Sequence, residues 1–332
     1  MKALKIIISV TLVALLPLFS LNCAAATISS ECDISDIAVP ISTVTENVPV
    51  GTTLDIKAKS AILLEPYSGQ ILYEMNADEL LPPASITKIM SLLLIMEAID
   101  SGALKLEDVV TGSAHAASMG GSQIWLEEGE SMTVDDLLKA TVIASANDAT
   151  VALAEAIAGS EEGFVALMNE RAGELGMQST VFKNATGLDA DGHLSTAHDV
   201  ALMSAELIKY PLIKKYSTVW MDTLRGGESE LVNTNKLVRF YLGATGLKTG
   251  TTDNAGCCLS ATAKRDGMEI CAVVMNAESS NERFSGAKKL LDYGFANWIL
   301  SKPDFDENSL DKLKVDRGVT DEVGIEIEPL GN

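Results

Sequence analysis

Ser85 and Lys88 stand three residues apart in "LPPASITKIM", residues 81–90, where an apolar run begins. Residues i and i+3 of a helix share one face. The spacing therefore puts an amine beside a hydroxyl, a nucleophile with its base. A free lysine holds its proton up to about pH 10.4, so the site must release it. The amine adjoins a buried helix and sits at that helix's positive N-terminal end, and a second cation, Lys248, would add repulsion; each lowers a lysine pKa. The simpler reading makes Ser85 a helix cap. Two more polar motifs compete with it. Ser145-Ala146-Asn147 lies inside "VIASANDATVAL", where Ser and Asn are poor helix formers, and a helix broken there would aim polar groups into a cleft. Lys248-Thr249-Gly250, followed by Thr251, suits an edge strand whose glycine admits another backbone.

These residues need elements to hold them. "KSAILLEPYSGQILYEMNAD" reads as a hairpin turning at Pro66-Tyr67-Ser68-Gly69. From Ser85 the pattern is helical and apolar nearly all round, and Gly102 ends it. Helical periodicity continues through "TVDDLLKATVIASANDATVALAEAIAG", with Thr133 as N-cap and Gly159 as stop. It returns in "SEEGFVALMNERAGELGM" and "STAHDVALMSAELIKY". Strand character reappears only near "GATGLKTGTTDNAG" and in a hairpin turning at Lys264–Gly267, and "NERFSGAKKLLDYGFANWIL" gives a last amphipathic helix. The expected fold is α+β: one antiparallel sheet built from both chain ends, flanked by helices, with a mostly helical insertion between them.

The chain opens with Lys2 and Lys5, an apolar stretch from Ile6 to Leu18 and Ala24-x-Ala26, the pattern of a cleaved export signal. Pro17 interrupts the stretch, which is short for a spanning helix, and Ser20-Leu21-Asn22 is a poor approach to a lipid-carrying Cys23. The expected organisation is a signal peptide over 1–26, a lead-in over 27–55, a catalytic domain over 56–300 and a charged tail over 301–332. The protein is expected outside the cytoplasm, in the cell wall or at the outer face of the membrane. Removing 1–26 leaves 23 basic against 46 acidic side chains, a net charge of −23. That charge argues against nucleic acid or an anionic membrane as partner. Of the remaining cysteines, Cys32, Cys257, Cys258 and Cys271, none forms a C-x-x-C pair. Within the hairpin Cys271 faces residues 260–262, so a bridge to Cys257 or Cys258 is not expected and the thiols read as free and buried.

The ordered trio S-x-x-K, S-x-N and K-T-G is that of penicillin-binding proteins and class A β-lactamases. From about Lys59 to Leu300 the chain resembles the serine D-Ala-D-Ala carboxypeptidases among the low-molecular-weight penicillin-binding proteins, peptidase family S11. "PPASITKIM", "MGGSQIWLEEGE", "SANDATVALAEAIAG", "FVALMNERAGELGM", "HLSTAHDVALMS" and "GLKTGTTDNAG" carry the likeness. The resemblance implies a β-lactamase/DD-peptidase-like fold in which Ser85 is the acylated nucleophile, Lys88 takes its proton and Ser145 relays one to the leaving D-alanine. It implies that Asn147 holds the peptide side of the substrate and that Lys248 and Thr249 hold its carboxylate, with Arg283 nearby. The N–H groups of Ser85 and Thr251, beside Gly250, would form the oxyanion hole. The implied partners are peptidoglycan stem peptides, with β-lactams as inhibitors and no cofactor. The family usually continues into a β-rich second domain and a C-terminal amphipathic membrane helix. The sequence ends at Asn332, where such a domain would begin, so 301–332 would be its start and membrane attachment is not expected of these residues.

Other patterns carry less. "GLDADGHLSTAHD" gathers Asp189, Asp191, His193, His198 and Asp199. An EF-hand reading, however, puts Gly187 first and His198 last, so a turn and helix cap is expected, and no metal. "ESELVN", Glu228–Asn233, faintly resembles the deacylating motif of class A β-lactamases; its Asn comes one place late and the motif lies 83 residues beyond Ser145, so it reads as surface. Trp125 and the methionines read as core. The rivals are a β-lactamase, a non-catalytic penicillin or peptidoglycan sensor, and an endopeptidase acting on cross-links.

Overall fold

The computed structural model describes residues 53–300 and, beyond them, the short strands β10 (Leu313–Lys314) and β11 (Glu322–Val323), paired through Leu313↔Val323. The expected signal peptide, Cys32 and most of the lead-in lie outside the described residues.

The first hairpin is β1 (Ser60–Glu65) and β2 (Gln70–Met75). Near the other end, β7 (Ala244–Thr252), β8 (Gly256–Arg265) and β9 (Met268–Ala277) follow one another, and the five strands form one antiparallel sheet in the order β2-β1-β9-β8-β7. Joining β1 to β9 closes the two ends of the domain on each other. That leaves β7 at the edge, as the Lys-Thr-Gly motif requires. Asp266 and Gly267 turn β8 into β9 with positive φ, and the register sets Thr262 opposite Cys271, so the hairpin cysteines are free thiols as expected. Burial pushes the Cys258 and Cys271 thiols up to about 11. Cys257 departs from expectation in being only half-buried.

Between the hairpin and β7 the chain is mostly helical: α1 (Lys88–Asp100), α2 (Ala114–Ala117), α3 (Val134–Lys139), α4 (Asn147–Ala158), α5 (Glu161–Glu174), α6 (Ala197–Leu207), α7 (Leu212–Ser217) and α8 (Leu237–Phe240). Helix α9 (Ser280–Asn297) follows the sheet. Thr133 caps α3 by accepting from the Asp136 N–H, and Gly159 ends α4 with φ 79°. Two small ribbons were not foreseen: β3 (Val109–Thr111) with β4 (Ser131–Thr133), and β5 (Met221–Leu224) with β6 (Ser229–Val232). The second shows Glu228–Asn233 as a surface ribbon, Glu228, Glu230 and Val232 being exposed, that is anchored at two places. Leu231 and Asn233 are buried there, and Asn233 Nδ2 donates to the Val219 carbonyl at 2.7 Å.

Both faces of the sheet are covered. Ile62, Leu64, Val273 and Met275 join the core under the helical insertion, while Leu63, Leu259, Val274 and Ile270 join a second core with Leu290 and Leu291 of α9. This is why β1 and β9 read as near-continuous apolar runs. Helix α1 is buried along its first turns, Lys88 included. No helix among the described residues is long and apolar enough to cross a membrane.

Candidate active site

Ser85 lies in a tight 3₁₀ turn, Ala84–Thr87, that runs directly into α1. No side chain caps either helical start, so the Ser85 hydroxyl is not spent on capping. Ala84 holds φ at 49°, and Gly187 presses on it: a Cβ on Gly187 would stand 1.9 Å from the Ala84 carbonyl oxygen. Only glycine fits that place.

Lys88, the first residue of α1, is wholly buried. Its Nζ lies 3.1 Å from Ser85 Oγ, 2.5 Å from Asn147 Oδ1 and 2.8 Å from the Thr186 carbonyl. The orientation of the Asn147 amide is fixed by its other end, where Nδ2 donates to the Gly120 carbonyl at 2.6 Å. Asn147 Oδ1 and Thr186 O can only accept. A neutral amine has two hydrogens, and these two oxygens take both. In that neutral state its lone pair is left facing the third neighbour, Ser85 Oγ, 3.1 Å away. Burial holds the Lys88 pKa well below the ordinary lysine value, and the nearby Lys248 lowers it further; only Asp148 opposes them.

The Ser-Ala-Asn motif breaks its helix as the residue types suggest. Helix α3 passes into a π-helical turn, Ala140–Ala144, and Ser145 follows with left-handed φ 65°. Such turns collect at functional sites. The Ser145 hydroxyl is buried with no hydrogen-bond partner, and Asn147 opens α4.

Strand β7 supplies the opposite wall. Lys248 is buried and donates to the Thr249 carbonyl at 3.2 Å; burial, with Arg283 as a second cause, lowers it to about 7. Thr249 Oγ1 donates to Thr234 Oγ1 at 2.7 Å. Gly250 lets the strand touch the serine turn, since a Cβ there would stand 2.8 Å from the Ser85 nitrogen. Thr251 Oγ1 donates to the Gly250 carbonyl. Arg283 does not stand open in the cleft. Its Nη1 donates to the Gly250 and Cys258 carbonyls at 2.9 and 3.3 Å and to Thr251 Oγ1 at 2.9 Å, tying α9 to the end of β7.

Ser85, Lys88 and Asn147 are thus hydrogen-bonded together and Gly250 of β7 packs on the serine turn, with Ser145 two residues before Asn147, Lys248 and Thr249 just before Gly250, and Arg283 behind the strand. Sequence reasoning missed Thr186, Gly187, Thr234 and Asp148. The Asp148 carboxylate, fully buried, accepts from the Ile124, Leu126 and Ala149 nitrogens. Its adjacency to Asn147 was the available signal. Trp125, read as core, is 76% exposed. Its neighbours Ile124 and Leu126 fill the core place instead, and a φ of 59° turns Trp125 outward. In the Asp/His-rich segment, Asp199 Oδ2 accepts from Ser179 N and Thr180 Oγ1, and His193 Nε2 meets Thr87 Oγ1 at 2.9 Å. Burial holds His193 down to about 4, so it is neutral. No group of three His, Cys, Asp or Glu among the described residues is placed to hold a metal.

A serine hydroxyl beside a buried lysine whose pKa is lowered, between a broken helix and an edge strand, is the arrangement of a serine acyl-transfer enzyme. The family profile for D-alanyl-D-alanine carboxypeptidases matches residues 43–279, and the chain belongs to that family. It is 50% identical over 266 residues to D-alanyl-D-alanine carboxypeptidase DacF of Bacillus subtilis, covering 79% of this chain and 68% of that one. Among solved structures, penicillin-binding protein 5 of Haemophilus influenzae matches with a TM-score of 0.76 at 32% identity, over 82% of this chain and 80% of that one. Penicillin-binding protein D2 of Listeria monocytogenes, in its ampicillin-bound form, matches with a TM-score of 0.67 at 33% identity, over 73% and 99%. The chain spans about two thirds of the length of the curated relatives it matches.

Asn147→Asp keeps the shape but sets a carboxylate where Oδ1 meets the amine. An opposite charge that close raises a lysine pKa by about 1–3 units. Acylation by penicillin at neutral pH should fall at least about tenfold, one pKa unit's worth, and recover as pH rises. Stopped-flow acylation against pH checks this; a uniform loss at every pH would contradict it.

Proposed function

We propose that this chain removes the terminal D-alanine from peptidoglycan pentapeptides through an acyl ester on Ser85, and that penicillin acylates the same hydroxyl. The observation that carries the reading is the buried Lys88 amine, in contact only with Ser85 Oγ, Asn147 Oδ1 and the Thr186 carbonyl and held well below the ordinary lysine pKa by burial and by Lys248.

The substrate's terminal carboxylate is met by Lys248 and the Thr249 hydroxyl, and binding an anion draws Lys248 toward its charged form. Ser85 Oγ attacks the carbonyl of the penultimate D-alanine while its proton passes to Lys88 Nζ. The carbonyl oxygen, now negative, sits against the N–H groups of Ser85 and Thr251. As the C–N bond breaks, a proton returns from Lys88 through the Ser145 hydroxyl to the departing amine; that hydroxyl is otherwise unpartnered, which supports the role. Free D-alanine leaves, and water attacks the ester to release a tetrapeptide. In penicillin the broken amide belongs to a ring, so the amine stays tethered and blocks the water. Arg283 is a positioning residue that fixes Gly250 and Thr251 from behind. The same reading places the protein outside the cytoplasm, in agreement with the leader pattern of 1–26.

The test is Ser85→Ala. It should abolish both D-alanine release and labelling by a fluorescent penicillin, and persistent labelling would sink the proposal.

The pH profile should have two limbs with opposite causes. Lys88 must be neutral, so acylation falls as pH drops through its lowered pKa. Lys248 must be charged to grip a carboxylate, so kcat/KM, which reports the free enzyme, falls as pH rises through about 7. Lys248→Ala removes a charge-assisted contact of about 1.5–3 kcal/mol, at least about tenfold in rate. It also moves the acid limb upward, because Lys88 loses a neighbouring cation. Lys248→Arg keeps its charge and loses the alkaline limb, though it grips less well. Acylation by a chromogenic penicillin across about pH 6 to 10 resolves both limbs. An unmoved acid limb in Lys248→Ala would show that Lys248 does not tune the base.

A further inference from the structure

The loop before α4 exposes the Trp125 indole to 76% while burying Ile124 and Leu126 on either side of it. The display is held in place by hydrogen bonds. The Asp148 carboxylate takes the N–H groups of Ile124 and Leu126, both at 3.0 Å. From the other side Arg225 donates through Nη1 to the Ile124 carbonyl at 3.0 Å and through Nη2 to that of Trp125 at 3.5 Å, while its Nε holds Glu130 at 2.7 Å. Trp125 and Arg225 both have left-handed backbones, φ 59° and 52°. For residues with a Cβ this costs roughly 1–2 kcal/mol each, and such strain persists where the surroundings impose it. Nothing in the core is gained by turning the largest side chain outward.

The same loop is bonded to the active site. Asn147 N donates to the Ser122 carbonyl at 2.7 Å and Asn147 Nδ2 to that of Gly120, while Asn147 Oδ1 holds Lys88. Three residues of chain reach at most about 10 Å, so Trp125 stands within that distance of Ser122. Counted back from the scissile carbonyl, the four remaining stem residues span roughly 14 Å when extended, and the amino sugar lies at their end. The uncovered indole therefore belongs to the loop bonded to Asn147, at a separation comparable with the length of stem between the scissile bond and the sugar. An uncharged N-acetylated sugar also suits a chain of net charge −21, which repels further anions.

We infer that Trp125 is a stacking platform for the amino sugar that carries the stem peptide, and so selects glycan-attached over free peptide substrates. The inference rests on the carboxypeptidase reading of the site. Indole and pyranose meet face to face. Asp148 and Arg225 are positioning residues that hold the platform at a fixed distance from Ser85.

The test compares three substrates with Trp125→Ala and Trp125→Phe: a diacylated tripeptide ending in D-Ala-D-Ala, a free pentapeptide and a disaccharide pentapeptide. In Trp125→Ala the KM for the disaccharide pentapeptide should rise about five- to tenfold, the lower end of what a single lost base–aromatic stacking contact costs. Its kcat should hold, and Trp125→Phe should recover most of the loss. The rise should be confined to the sugar-bearing substrate. A binding arm needs no turnover: titrating Ser85→Ala with disaccharide tetrapeptide should shift tryptophan emission, since Trp220 and Trp298 bury their indole nitrogens. That shift should vanish when Trp125→Phe is added. Equal losses on all three substrates, or none on any, would overturn the platform. Failure of benzylpenicillin to acylate the unmutated protein would instead overturn the reading of the site beneath it.

Discussion

The structure depends on one constraint: an amine buried with no anion bonded to it. Lys88 is fully enclosed, and its three polar contacts are all to neutral oxygens. Keeping an ammonium ion there would cost several kcal/mol in lost hydration, and losing the proton is the cheaper outcome. The surroundings enforce that choice. Lys248 adds repulsion from across the cleft, while Asn147 and Thr186 orient the neutral amine toward Ser85. The base is made by withholding a counter-ion.

The fold serves this arrangement by bringing three distant stretches together. The 3₁₀ turn holds Ser85 at the head of α1, whose first residue Lys88 is buried, the π-turn after α3 leads to Ser145 and Asn147, and joining β1 to β9 leaves β7 as an open edge. Closure at the serine turn is tight enough to need glycine at 187 and 250. Left-handed conformations at Ala84, Ser145 and Gly187 gather around the nucleophile. Local strain of this kind persists where packing over-determines it. Here both faces of the sheet and all of early α1 are buried, so the packing is available.

What the sequence disclosed follows from how local each signal is. The Ser85–Lys88 contact is a helix-period contact and can be read from spacing. Ser145 and Asn147 are legible because their types oppose the helix around them, and β7 because Gly250 follows a polar pair in a strand. Thr186 was invisible, since it contributes a backbone carbonyl that any residue has. Gly187 was hidden among turn glycines, its need set by Ala84 about a hundred positions away. Arg283 was noticed but not its role, because the carbonyls it holds lie in other strands. Trp125 was misread because apolar pattern assigns large side chains to the core, and the hydrogen bonds that turn it outward come from Asp148 and Arg225. The small ribbons escaped notice because strands of three or four residues leave almost no periodicity.

Everything at the site turns on Lys88 being neutral before substrate arrives. Lysine labelled with carbon-13 at Cε reports its protonation directly by NMR, with Lys88→Arg assigning the signal. The Lys88 resonance should titrate well below the ordinary lysine value, and Lys248→Ala should move that titration upward. A Lys88 signal that titrates at the ordinary lysine value, indifferent to Lys248, would contradict it.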